Sequence, residues 1–145
     1  MKRLGVLVAA GFLFAAAPSF AQNVGTCPRG GGSNQPPPVR VLFDLGSAQL
    51  RAADKPVIAQ AAATAKARQV TAICLIGHTD KLGDKAFNEK LARSRAQAVA
   101  AQMMRDGVAA NHLYIVADAE AFGNMSLGKE DASVVDRKVT IFFSR

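Results

Sequence analysis

Ile73-Cys74-Leu75-Ile76-Gly77-His78-Thr79-Asp80, followed at helical spacing by Asn88, Leu91 and Arg95, places a carboxylate at the end of an apolar strand. The next helix then carries an amide and a guanidinium. The run 70–77 is hydrophobic on both faces, which predicts a strand at the centre of a sheet. Asn88 and Arg95 are seven residues apart, close to two helical turns, so they project from one face. Leu91, Val99 and Met103 share the row of Arg95, and a charge in an otherwise apolar row needs a partner. Two readings are open at this point. Asp80 pairs with Arg95, or both serve a ligand that carries an amine and a carboxylate.

The segments on either side complete an α/β pattern. Residues 39–44 are β-branched and aromatic, lie between prolines and Gly46, and read as a strand. Residues 52–67 are alanine-rich and read as a helix with Pro56 in its first turn, where the missing N–H costs little. Its buried stripe is expected to hold Val57 or Ile58, Ala61 and Ala65. Asp84 is placed to cap a second, long helix, which should stop near Asp106-Gly107 because glycine takes the left-handed stop conformation. Residues 113–117 and 137–143 read as two more strands, and in the last of these Val139, Ile141 and Phe143 alternate with Lys138, Thr140 and Phe142. The order is βαβαβ, a longer excursion over 118–136, and a final strand. Helix-length crossovers imply parallel pairing for the first strands, with the last one free to run antiparallel. The expected architecture is a two-layer α/β (α+β) sandwich with both helices on one face of a four-stranded mixed sheet.

Residues 1–21 read as a secretory signal: Lys2 and Arg3, an apolar run over 4–17, Pro18, then Ser19-Phe20-Ala21 with small residues at the cleavage positions. The apolar run is short for a membrane span, which needs about 20 residues. Residues 22–38 contain Gly30-Gly31-Gly32-Ser33 and Pro36-Pro37-Pro38 and read as a linker with almost nothing apolar to bury. The folded domain is expected over 39–145. Without Lys2 and Arg3 the formal charge falls from +7 to +5, spread along the chain and interleaved with acids. With one Tyr, no Trp and no polybasic run, a nucleic-acid groove is not indicated. Two cysteines occur, Cys74 inside the apolar run and Cys27 after the signal; an oxidising compartment permits their pairing, which spacing alone does not establish. Val24-Gly25-Thr26-Cys27 vaguely resembles an acylation box, but Thr26 and the distance from the apolar run argue against lipidation.

Four groups of residues carry a family resemblance: Phe43-Asp44 with Ser47-Ala48 and Leu50; Gly77-His78-Thr79-Asp80 with Gly83; Asn88 and Leu91 with Arg95-Ala96 and Val99; and Asp136-Arg137-Lys138-Val139. Together they resemble the OmpA-like C-terminal domain, a family that includes peptidoglycan-associated lipoproteins and the wall-anchoring domains of flagellar stator proteins. The resemblance covers essentially all of 39–145. It implies non-catalytic, non-covalent binding of the peptide stem of peptidoglycan at diaminopimelate, in the periplasm, with association to the outer membrane open. By the same resemblance Asp80 receives the ligand's ammonium and Arg95 its carboxylate. Asn88 supplies a side-chain hydrogen bond, Phe43 and Asp44 line the pocket through their backbone, Thr79 holds the turn of Asp80, and Arg137 is a basic group near the last strand. The ligand's free end is a zwitterion, which a fixed carboxylate and a forked guanidinium match group by group. Gly46 stands where many members carry Asp or Asn, and Asp136-Arg137-Lys138 replaces Asn-Arg-Arg.

Other chemistries find little support. The two histidines, His78 and His112, lie in different connections, whereas a metal site needs three or four ligands. No nucleophile–base set and no phosphate-cradling glycine motif is visible, so neither an enzyme, a metal nor a cofactor is expected. The competing reading is a protein–protein docking module of the envelope with an eroded peptidoglycan pocket.

Overall fold

The computed structural model describes residues 23–28, 34–79, 84–117 and 137–144. The signal segment, Asp80 and the excursion 118–136 lie outside them. Among the described residues five strands form one sheet: β1 (Asn23–Val24), β2 (Val39–Leu42), β3 (Ile73–Gly77), β4 (Leu113–Ala117) and β5 (Lys138–Phe143), in the spatial order β1-β4-β3-β5-β2. As its sequence predicts, β3 is central, with every residue buried. It pairs parallel with β4, Leu75 opposite Ile115, and antiparallel with β5, Leu75 opposite Ile141. β5 is inserted between β2 and β3, antiparallel to both, which leaves β2 and β3 parallel to each other.

Helices α1 (Lys55–Ala67) and α2 (Lys85–Arg105) are the two crossovers, from β2 to β3 and from β3 to β4. Both steps move the same way across the sheet. Right-handed crossovers then put both helices on one face. Strand alternation turns Val41, Ile73, Leu75, Leu113, Ile115, Val139 and Ile141 toward them, where they meet Ile58, Ala61, Ala65, Ala96, Val99 and Met103 in one core. Ile58 takes the buried position on α1, while Val57 is partly exposed. Alanines on both helices let the layers approach closely.

The strand count differs from the expected four. The added strand, β1, comes from the segment read as a linker; it pairs parallel with β4, Asn23 opposite Tyr114 and Val24 opposite Ile115. In the same segment Pro36 is buried, Cys27 is joined to Cys74, and Gln35 Nε2 donates to Ser144 O at 3.2 Å. Local composition reads as a linker, but an open sheet edge and a covalent partner elsewhere in the chain override it. Two smaller differences follow from turn chemistry. The strand expected over 39–44 ends at Leu42, and a 3-10 turn (Ala52–Asp54) precedes α1. Thr140, which alternates with Val139 and Ile141, is buried on the sheet face away from the helices.

The ends of the helices follow their sequences. Asp84 caps α2 by accepting the Phe87 N–H at 2.8 Å. At the C-terminus of α2 the N–H groups of Gly107 and Val108 donate to Met104 O and Met103 O, and Gly107 has φ +94. This is the paired stop that favours glycine. α1 ends in the same way, Gln69 N–H to Lys66 O and Val70 N–H to Ala65 O, yet the left-handed position is filled by Gln69 at φ 54. Gln69→Gly is therefore expected to raise stability by about 0.5–1 kcal/mol. A urea titration should show a higher midpoint at unchanged slope, and an unchanged or lower midpoint would refute the strain argument.

Candidate functional site

One end of the sheet gathers the stretches singled out in the sequence. Because β5 is antiparallel, its start lies beside the ends of β2 and β3. Phe43 N–H donates to Arg137 O at 2.8 Å and His78 N–H to Lys138 O at 2.9 Å. Past β2 the chain turns at 44–47, closed by Ser47 N–H to Asp44 O at 3.1 Å, with Gly46 at φ +66. A turn with this left-handed residue accepts Gly, Asn or Asp, the residues that adopt φ > 0 at least cost. Gly46 thus meets a backbone requirement that Asp or Asn would also meet.

Arg95 reaches this end from the middle of α2. Only 1% exposed, it is the largest of the fully buried side chains. Its Nε donates to Ser47 O at 2.8 Å, its Nη2 to Asp44 O at 3.1 Å and its Nη1 to His78 O at 3.2 Å. The guanidinium carbon sits 5.5 Å from the centre of the Phe43 ring, within cation–π range. The fork therefore ties the turn after β2 to the end of β3, and fixes the backbone on both sides of the sheet end. These acceptors are carbonyls, which the side-chain pattern does not announce. The sequence signal was indirect: a charge in an apolar row demands partners without saying which.

The other expected site residues fall into place as follows. Phe43 is buried beneath Arg95, Asp44 is exposed on the turn, and Thr79 is half-buried directly after His78. Asn88 is half-buried on the first turns of α2, on the stripe of Arg95 but about 10 Å nearer the N-terminus along the axis. Arg137 is half-buried, and its Nε is enclosed with no hydrogen-bond partner among the described residues. A buried, unsatisfied donor at this position costs free energy unless an acceptor arrives. Phe43, Asp44, Thr79, Arg95 and Arg137 are thus brought together, while Asn88 lies further along the helix.

Two contacts near the site were not anticipated. His78 Nε2 lies 3.2 Å from Thr140 Oγ1. Arg51 forms a two-pronged pair with Asp54, at 2.6 and 3.0 Å. The hydrogen bond to Asp54 holds the Arg51 guanidinium above its usual range, and the charges of Asp54 and Asp44 act in the same direction against desolvation. Among the described residues no group of three or more His, Cys, Asp or Glu side chains converges as a metal site would require. A shallow cavity lined by Asn34, Gln35, Pro36, Arg68 and Val70 lies at the opposite end of the sheet and brings together no acid–base pair.

Residues 42–138 match the sequence pattern of the OmpA family. The chain is 32% identical over 73 residues to outer membrane protein A of Bordetella avium, covering 50% of this chain and 38% of that protein. It is 34% identical over 76 residues to the probable lipoprotein YiaD of Escherichia coli, covering 52% and 35% respectively. The chain therefore spans little more than a third of the length of these curated relatives. Among solved structures, it resembles the peptidoglycan-associated lipoprotein from Burkholderia pseudomallei, with TM-score 0.60, 25% identity and coverage of 72% and 88%. The OmpA-like domain of FopA1 from Francisella tularensis shares its fold, with TM-score 0.62, 24% identity and coverage of 72% and 70%.

Proposed function

The chain belongs to the OmpA family, and from that premise we propose that it is a non-catalytic binding module of the cell envelope that holds the peptide stem of peptidoglycan at diaminopimelate. The periplasm is the compartment that this function requires. Support comes from the convergence of Phe43, Asp44, Thr79, Arg95 and Arg137 at one sheet end, with Asp80 the next residue after Thr79. In this reading Asp80 takes the ligand's ammonium, Asn88 adds a hydrogen bond from the helix, and Arg95, buried behind the carbonyls it holds, acts through that backbone. Arg137 brings a second guanidinium, whose enclosed Nε has a donor to offer an incoming anion. By holding the carbonyls of Asp44, Ser47 and His78, Arg95 also keeps the backbone walls of the pocket in place before the ligand arrives. Such preorganisation lowers the ordering cost of binding.

The test is co-sedimentation of the chain with diaminopimelate-type sacculi, beside Asp80→Ala. A charge-assisted hydrogen bond contributes roughly 1.5–3 kcal/mol, so Asp80→Ala should weaken binding about ten- to a hundredfold. Equal pelleting of both proteins would overturn the clamp. A second reading, docking of another envelope protein, draws on Leu45 and Phe87, which are 77% and 60% exposed on the turn after β2 and the first turn of α2. Failure of the wild type to pellet would favour it.

A further inference from the structure

β1 is too slight to hold itself in place. It is two residues long, and its Val24 side chain is 61% exposed. Its hold on β4 beyond the strand pairing consists of Gly25 N–H to Ile115 O at 3.2 Å and Asn23 Nδ2 to Asn111 O at 3.2 Å. Isolated pairings of this length are not stable in water. Yet the next residues cross the helix-free face of the sheet. There Cys27 is bonded to Cys74, whose Cα lies 5.8 Å away on β3, and Ser144 Oγ donates to Pro28 O beyond it. The disulfide spans 47 residues of sequence and anchors this strap to a central strand that is fully buried.

We propose that the Cys27–Cys74 bond is a redox-operated clasp that holds residues 23–28 against the edge of β4. A dithiol reductant opens it by thiol–disulfide exchange. Two electrons and two protons pass to Cys27 and Cys74 as thiols, and the reductant leaves as its own disulfide. The strap then keeps only its few hydrogen bonds and leaves the edge. Ile115 turns its C=O toward β1, and in a strand the N–H of the same residue faces the same side, so both groups lose their cover. An uncovered strand edge is a template for pairing with another chain.

Asn34 and Gln35 remain tied through Arg68 Nη1 and Ser144 O whether the bond is open or closed. While the clasp is closed, the Cys27 sulfur is committed, which is incompatible with acylation of the same atom. None of this depends on wall binding.

The experiment is amide hydrogen exchange on the full chain produced by export, in three states: oxidised, treated with dithiothreitol, and Cys27→Ser. In both opened states exchange at Ile115 should rise at least tenfold, while Leu75 on β3 stays within twofold of the oxidised chain. Three results would overturn the proposal. Ile115 keeps its protection without the bond; Leu75 accelerates together with Ile115, making the bond a staple of the whole domain; or the exported protein carries two free thiols.

Discussion

Arg95→Ala should lower the unfolding free energy by about 3–5 kcal/mol, because several charge-assisted hydrogen bonds are lost and a large buried side chain is truncated. Three carbonyls, of Asp44, Ser47 and His78, lose a charged donor whose own side chain is fully buried. The Phe43 ring loses the cation above it, and the truncated side chain leaves a void between α2 and the sheet. A loss of this size is a large part of the roughly 5–15 kcal/mol that stabilises a domain. Arg95→Lys should recover only part of it, because one ammonium cannot address three carbonyls in the plane of a guanidinium fork. Urea unfolding followed by circular dichroism reads both. A change below about 0.5 kcal/mol for Arg95→Ala would show that these bonds carry no net weight. This bears on function as well. Arg95→Ala is expected to abolish sacculus binding whether or not the guanidinium touches the ligand, so Asp80→Ala is the cleaner probe of the clamp.

Gly77→Val should be comparably damaging for the opposite reason, too much matter where none fits. A Cβ on Gly77 would lie 2.1 Å from Ala92 O, a backbone atom of α2, and 2.6 Å from the carbonyl carbon. No side-chain rotation relieves that contact. The helix must move off the sheet, and Ala92 lies one turn from Arg95, whose bond to His78 O begins beside the same glycine. Overpacking of this kind costs about 1–3 kcal/mol and more where the obstacle is backbone, so Gly77→Ala should fall near the top of that range and Gly77→Val beyond it. Gly46→Asn is the contrasting control. Nothing lies within 4 Å of a Cβ at Gly46, and asparagine tolerates its φ of +66, so the cost should stay below about 1 kcal/mol. Thermal midpoints of the three variants decide the matter; equal shifts for Gly46→Asn and Gly77→Ala would remove the steric explanation.

Several elements were legible because their signals are local. The unbroken apolar run ending at Gly77 announced a central strand, and β3 is one. Asp84 and Gly107 marked the two ends of α2, since a cap and a left-handed stop are decided by the residues beside them. β4 was readable to the residue from its apolar run over 113–117. The family motif then pointed to Asp80, Asn88 and Arg95 as a group, and the resemblance extended this to Phe43, Asp44, Thr79 and Arg137.

The order of β2, α1, β3, α2, β4 and β5, the ends of α2 and the need of Arg95 for partners were all legible in the residues alone. These depend on periodicity, capping and the cost of an isolated charge, all of which act within a few residues. That those partners include three backbone carbonyls from two loops emerges only on folding, because carbonyls are the same at every position and carry no mark in the sequence. The same holds for Gly77, whose missing side chain matters only once α2 lies against it. It holds again for β1, since a two-residue strand in a glycine- and proline-bearing segment exists through an open edge and a cysteine 47 residues away.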